Sequence, residues 1–301
     1  MTAQILAFLN FKGGVGKTTN TINVAAILAL HPQMGGKRVL VVDLDPQCNS
    51  TLWLIGREAY LWVQNRQQTV HEIFRQSMNR HKPSADPLIH AVDRAASGAG
   101  RLDLLPGSFS CLKLEEDPKL LDEQALGHLV LGKALDTVKH AYDYILLDCP
   151  PAWSVLTRNA LRTADHVLIP YTPDYLALEG ILWMRELHAE FSQRVGIGNV
   201  ARLSGVIVNR VRNSSSHQYV NAHRQALTEL GQVIEQIYQK YGYHLQVFQP
   251  HIAETTAVTE AVNFQEHLMK NDAGHPVTRQ YAALVQDILS WLKKNTPQGS
   301  N

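Results

Sequence analysis

Cysteine is scarce in this chain: Cys48, Cys111 and Cys149 are the three present in 301 residues. An odd, scattered set excludes a disulfide framework and offers no metal-ligand spacing, which points to a reducing cytosol. An excess of one charge is missing as well. The 28 basic residues face 27 acidic ones, for a formal net charge of +1. No net field draws the whole protein to nucleic acid or membrane, so any such binding needs a local patch. Long apolar runs are absent too. No stretch of 18 apolar residues occurs, and the opening MTAQILAFLN lacks the basic and apolar regions of a secretion signal. A soluble cytoplasmic protein is expected. What the chain does have is globular composition, 45% apolar and 18% charged, and enough length to bury a sizeable core.

Short apolar runs alternate with helical patterns from end to end. Runs at 5–9, 39–42, 102–105, 144–147, 166–169, 203–208 and 245–248 read as strands. They are mostly β-branched or leucine-rich and not strictly alternating, as expected when helices cover both faces of a sheet. Helical patterns at 18–30, 127–138, 177–194 and 219–241 lie between them. This rhythm predicts an α/β fold, a doubly wound and mainly parallel sheet flanked by helices, with right-handed crossovers. No repeat or linker divides the chain, so one domain over 1–295 and a polar tail at 296–301 are expected. Segment 57–100 is the least regular. There Pro83, Pro87 and the small residues at 95–100 suggest loops around short helices.

The strongest motif is F-K-G-G-V-G-K-T-T at 11–19, between a strand pattern and an apolar helix pattern. That context is the one a phosphate loop requires. Gly13, Gly14 and Gly16 let successive backbone N–H groups, that of Val15 among them, turn towards phosphate oxygens. The helix N-terminus behind the loop, opening with Thr18 and Thr19, adds partial positive charge. Lys17 would reach the β and γ phosphates, and the Thr18 hydroxyl would bind Mg²⁺. The general pattern puts its first glycine at position 11. Here that residue is Phe11, and Lys12 opens the motif instead.

Two strand patterns end in acids: D-L-D-P-Q carries Asp43 and Asp45, and D-C-P-P carries Asp148. Ligands of open α/β sheets sit at the carboxyl ends of strands, where a carboxylate can hold Mg²⁺ or orient water. Either acid alone could be a turn residue before proline. Both together beside a phosphate loop favour ligand chemistry.

K-G-G-V-G-K-T-T resembles the deviant Walker A box of the ParA/Soj/MinD family of partition and positioning ATPases. The two acidic motifs resemble the family's Walker A′ and Walker B boxes. The resemblance runs from Ile5 to about Trp291 and is weakest over 57–100. It implies ATP and Mg²⁺ as cofactors and a homodimer that sandwiches ATP. In that dimer Lys12 would reach the partner's phosphates. Asp148 would support the Mg²⁺ shell, Asp43 would join the water network near the metal, and Asp45 would polarise the hydrolytic water. V-I-V-N-R places Asn209 where the family carries an asparagine against adenine, and an amide has the donor and acceptor that edge needs. V-F-Q-P-H-I at 247–252 resembles the loop over the base, with backbone contacts from Pro250, His251 and Ile252. P-Y-T-P-D-Y-L-A-L-E-G at 170–180 is similar to the strand-to-helix element near the sandwich interface.

The phosphate loop begins 12 residues into the chain, so the short type of partition ATPase is expected, without a preceding helix-turn-helix domain. At 281–294, Leu284, Ile288, Trp291 and Leu292 fall on one helical face, and the polar face has few basic residues. A helix packed on the domain is expected there, and no membrane-targeting helix. The family implies non-specific DNA binding, nucleoid association and a ParB-like or analogous adaptor. Candidate phosphate contacts are Arg202, Arg210, Arg212, Arg224, Lys240 and Lys270, with Arg279 and the polar loop 213–218 beside them. A MinD-like membrane-associated ATPase is the alternative. An iron–sulfur reductase built on the same loop would need paired bridging cysteines, which these three do not supply.

Overall fold

A computed structural model describes residues 2–121, 127–212 and 219–295. The loop at 213–218 and the tail at 296–301 lie outside the described residues. Eight strands form one sheet: β1 (Gln4–Phe8), β2 (Arg38–Asp43), β3 (His90–Arg94), β4 (Arg101–Leu105), β5 (Tyr144–Asp148), β6 (His166–Tyr171), β7 (Arg202–Val208) and β8 (Gln246–Phe248). Their order is β3-β4-β2-β5-β1-β6-β7-β8. Every neighbouring pair is parallel except β3 against β4. The seven strands expected from the sequence are present within a residue or two of their predicted bounds, and the sheet is mainly parallel as predicted.

The helices are α1 (Lys17–Leu30), α2 (Asn49–Asn65), α3 (Val70–Met78), α4 (Pro118–Leu121), α5 (Val130–Leu135), α6 (Val155–Thr163), α7 (Tyr175–Val195), α8 (Asn221–Tyr241), α9 (Thr256–Asn263), α10 (Leu268–Asn271) and α11 (Pro276–Asn295). They cover both faces of the sheet. In and just past β1, Ile5, Ala7 and Leu9 join one core with α3 to α8, while Leu6 and Phe8 join the other with α1, α2 and α9 to α11. A strand buried on both sides has no polar face to show, which is why its sequence does not alternate.

α11 packs against α1 and buries Leu284, Ile288 and Leu292, each contributing on the order of 1.5–3 kcal/mol. Trp291 is half-buried and meets Phe248 edge-on at 5.9 Å between ring centres. The packed helix expected at 281–294 is therefore present, and it begins earlier, at Pro276. Among the described residues no helix is long and apolar enough to cross a membrane. At this same edge of the sheet, Gly205 lets β7 and β8 close up: a Cβ there would lie 2.4 Å from Gln246 O.

Segment 57–100 departs from its expectation of loops around short helices. It holds most of the 17-residue α2, which turns at Gly56, then α3 and the edge strand β3. β3 runs antiparallel to β4 and is half-exposed.

Candidate functional site

The carboxyl ends of β1, β2 and β5 bring the sequence motifs to one place. The chain leaves β1, turns through Gly14 and Gly16 at positive φ (76° and 91°) and enters α1 at Lys17. Glycine is favoured at position 16 on two counts. Its backbone is left-handed, and a Cβ there would lie 3.3 Å from Asn20 Nδ2 and 3.4 Å from Asn209 Nδ2. Asn20 donates to Gly16 O at 2.7 Å and Asn209 to Val15 O at 3.1 Å, so two amides pin the loop from behind. Val15 itself is buried.

Lys17 is 7% exposed, and its Nζ donates to Lys12 O at 3.1 Å. Burial lowers its pKa, against the opposing pull of Asp148 and Asp45. Thr18 Oγ1 and Ser50 Oγ both donate to Asp148 Oδ2, each at 2.7 Å. The other oxygen, Asp148 Oδ1, is buried with no hydrogen-bond partner among the described residues. Burial pushes Asp148 up to about 6, with the Ser50 and Thr18 hydrogen bonds opposing.

Asp43 behaves differently. Its Oδ2 accepts from Thr51 N at 2.9 Å and Thr51 Oγ1 at 2.7 Å, and its Oδ1 accepts from Asp45 N at 3.2 Å. Burial first, then the charge of Asp148, pushes it up to about 8. Asp43 therefore caps the first turn of α2 and braces the Asp45 loop, with its oxygens committed away from the cavity. Asp45 faces the cavity, holds Gln47 N at 2.9 Å, and is raised by burial.

Of these groups Lys17, Thr18 and Asp45 border a cavity of about 490 Å³, while Asp43 and Asp148 are fully buried. Gly13, Gly14, Gly16, Lys17, Thr18, Thr19 and Asp45 line its phosphate end. Arg210, Ile252 to Thr255, Val258, Thr259 and Tyr281 line the rest, while Asn209 also lines the cavity against the loop, through its bond to Val15 O. Asn209 Oδ1 is buried there without a partner among the described residues. Of the expected base loop, Ile252 reaches the wall but Pro250 and His251 do not. The His251 ring stacks on Tyr219 and its Nδ1 meets Tyr219 Oη at 3.0 Å. Lys12 stands outside the cavity wall, its Nζ paired with Asp174 Oδ1 at the N-terminus of α7. Cys149 is simply buried, as expected. No cluster of three acid, histidine or cysteine side chains fit to hold a metal unaided occurs among the described residues.

The sequence model of a family described as an AAA domain matches residues 3–197. The chromosome-partitioning ATPase Soj of Treponema pallidum is 30% identical over 288 residues, 95% of this chain and 97% of that one. The chain belongs to the ParA/Soj family of P-loop ATPases. The sporulation initiation inhibitor protein Soj of Bacillus subtilis is 38% identical over 180 residues, covering 59% of this chain and 62% of that relative. Among solved structures, McdA from Cyanothece superposes with a TM-score of 0.75 at 22% identity, over 95% of this chain and 99% of that one, which speaks to the fold.

In this ParA/Soj chain, Ser50 and Thr51 are site residues that sequence reasoning missed. Their only signal is position, seven and eight residues after Asp43 at the start of a helix. Glu254 was missed as well. The basic candidates do not share one surface. Arg202 opens β7 at the edge of the sheet opposite the cavity and lies near the Trp291 ring. Arg210 and Arg212 follow the other end of that strand, and both meet Glu254. Arg224 and Lys240 sit about 24 Å apart along α8. Lys270 pairs with Glu266 at 3.6 Å.

Proposed function

We propose that this ParA/Soj chain is an ATP-hydrolysing partition or positioning ATPase, acting as one domain over residues 1–295. It binds ATP with Mg²⁺, dimerises around the nucleotide and binds DNA without sequence preference. Hydrolysis, stimulated by a ParB-like or analogous adaptor, then moves a plasmid, chromosome or protein cargo. The protein is expected in the cytoplasm on the nucleoid. The observation that carries this reading is the bare Asp148 Oδ1, buried on a carboxylate whose other oxygen accepts from the hydroxyl of Thr18, itself a residue of the cavity wall. An unpaired buried carboxylate oxygen is costly unless a cation or its water shell completes it.

Thr18 and Asp148 would hold the Mg²⁺, and Lys17 the β and γ phosphates. A bound Mg²⁺ would neutralise charge on the phosphate oxygens. Asp45, anchored through its backbone to Asp43, orients the attacking water. Asn209 would accept from the adenine amino group through its unpaired Oδ1, its Nδ2 being held by the loop. Lys12 leaves Asp174 for the partner's phosphates; the pair is partly exposed, so parting it costs little. The partition names of the relatives support the cargo role.

The deciding experiment measures retention on DNA of arbitrary sequence with ATP, with ADP and without nucleotide. ATP-dependent binding should weaken steeply with salt, log K falling by about 0.9 per decade for each phosphate neutralised. Lys12→Ala should lose DNA binding and ATP-dependent dimerisation together. ATP-dependent sedimentation on anionic liposomes without DNA retention would overturn the reading.

A further inference from the structure

Glu254 lies where two chain segments run side by side beyond the ends of β7 and β8. Val211 N donates to Ile252 O at 3.0 Å, and Glu254 N to Val211 O at 3.0 Å. Arg210 enters this segment at a φ of 55°, a left-handed conformation that a non-glycine residue adopts at a cost. Its Nη2 donates to Glu254 Oε1 at 3.0 Å. Arg212 reaches the same carboxylate twice, Nε to Oε2 and Nη2 to Oε1, the latter at 3.2 Å. The two arginine side chains are 55% and 63% exposed, so both remain open to solvent. Glu254 is held down to about 2, foremost by Arg212, and stays ionised throughout the physiological range. Two guanidinium forks on one small anion is the arrangement arginines make with a phosphate group.

We propose that Glu254 is an internal phosphate mimic. It occupies Arg210 and Arg212, and so restrains the binding of a nucleic-acid backbone at this rim of the nucleotide cavity. The inference rests on the DNA-binding reading above and adds a restraint to it. Each arginine must exchange an internal anion for an external one, so binding here is weaker than the two positive charges alone would give. Exposed ion pairs of this kind are worth about 0.2–1 kcal/mol each, or roughly two- to thirtyfold in affinity for the two together. Arg210 and Glu254 both line the cavity, so a nucleotide bound there meets the contact directly.

The test is fluorescence anisotropy of a labelled duplex of arbitrary sequence, at saturating ATP, over a salt series. Glu254→Gln should bind about three- to tenfold more tightly at low salt. Its log–log salt slope should steepen by about 0.9 for each arginine released. Glu254→Asp keeps the charge but shortens the reach, and should gain less. Glu260→Gln removes an equal charge from exposed α9 and should gain less than Glu254→Gln. Placing Glu254→Gln on an Arg210→Gln/Arg212→Gln background should abolish the gain. Unchanged or weaker binding by a folded Glu254→Gln protein, an equal gain from Glu260→Gln, or a gain that survives without the arginines would each overturn the proposal. If wild type fails to bind DNA with ATP but Glu254→Gln binds, the restraint stands and the functional reading needs revision. If neither binds, both fall.

Discussion

Replacing Thr51 with valine keeps the shape of the side chain and removes one hydroxyl. That hydroxyl is fully buried and has two tasks: it donates to Asp43 Oδ2 at 2.7 Å and accepts from Gly107 N at 2.8 Å. In Thr51→Val the Gly107 N–H is left buried without an acceptor, at about 1–3 kcal/mol. Asp43 loses one of its donors, at about another 1–3 kcal/mol. The two losses overlap, so a total of about 2–5 kcal/mol is expected, or a fall in Tm of roughly 5–15 °C. Thr51→Ser keeps both hydrogen bonds and should cost about 1 kcal/mol for the lost methyl. Urea and thermal melts of the two variants separate the cases. ATP turnover should fall more than ATP affinity in Thr51→Val, because Asp45 N hangs on the other oxygen of Asp43. Equal stability of the valine and serine variants would refute the argument that this hydroxyl braces the Asp43–Asp45 loop.

Lys17→Ala should lose measurable ATP binding in calorimetry, since truncating one side of a buried charged hydrogen bond typically costs 2–5 kcal/mol or more; unchanged affinity would remove Lys17 from the phosphate site. Asp45→Ala should keep ATP and accumulate as an ATP-bound dimer in size-exclusion chromatography, while wild-type turnover in that variant would dismiss Asp45 as the water-orienting group. The third concerns pH. His188 is half-buried, with Nε2 2.8 Å from Ala201 O, and burial lowers its pKa below the unfolded value near 6.5. Below that pH the unfolded chain takes up a proton that the folded chain resists, so stability falls with falling pH. The Tm advantage of wild type over His188→Gln should shrink between pH 7.5 and 5; a constant difference would show that His188 does not carry this linkage.

What could be read from the sequence was whatever is fixed over a few neighbouring residues. The loop at 11–19 needs glycines, a lysine and a threonine in a nine-residue window, so the window alone reveals it. The acids ending β2 and β5 were visible because strand ends are the natural ligand edge of an α/β sheet. Thr51 was not, because a threonine in the first turn of a helix looks like any other. Its meaning comes from Gly107 and Asp43, which only the fold brings to it. β3 was missed for a related reason. H-A-V-D-R has neither an apolar run nor a clean alternation, and it is held by pairing with β4 and by Asp93 meeting His267 at 3.2 Å. The arginines were named without their partner, because Glu254 lies more than 40 residues away from them along the chain.

The pairing of β2 with β5 sets Asp43 directly across from Asp148, with Phe8 of β1 on the far side of Asp148. Neighbouring strands stand about 4.8 Å apart, so the backbone ladder acts as a ruler for these two acids. Side-chain rotation cannot restore the distance that the ladder forbids. Substitutions elsewhere on the surface leave that spacing intact. A single residue inserted into β2 would not: it would turn Asp43 to the opposite face and present Val42 in its place. The chemistry of the site is thus more exposed to changes in strand length than to changes in most of its surrounding side chains.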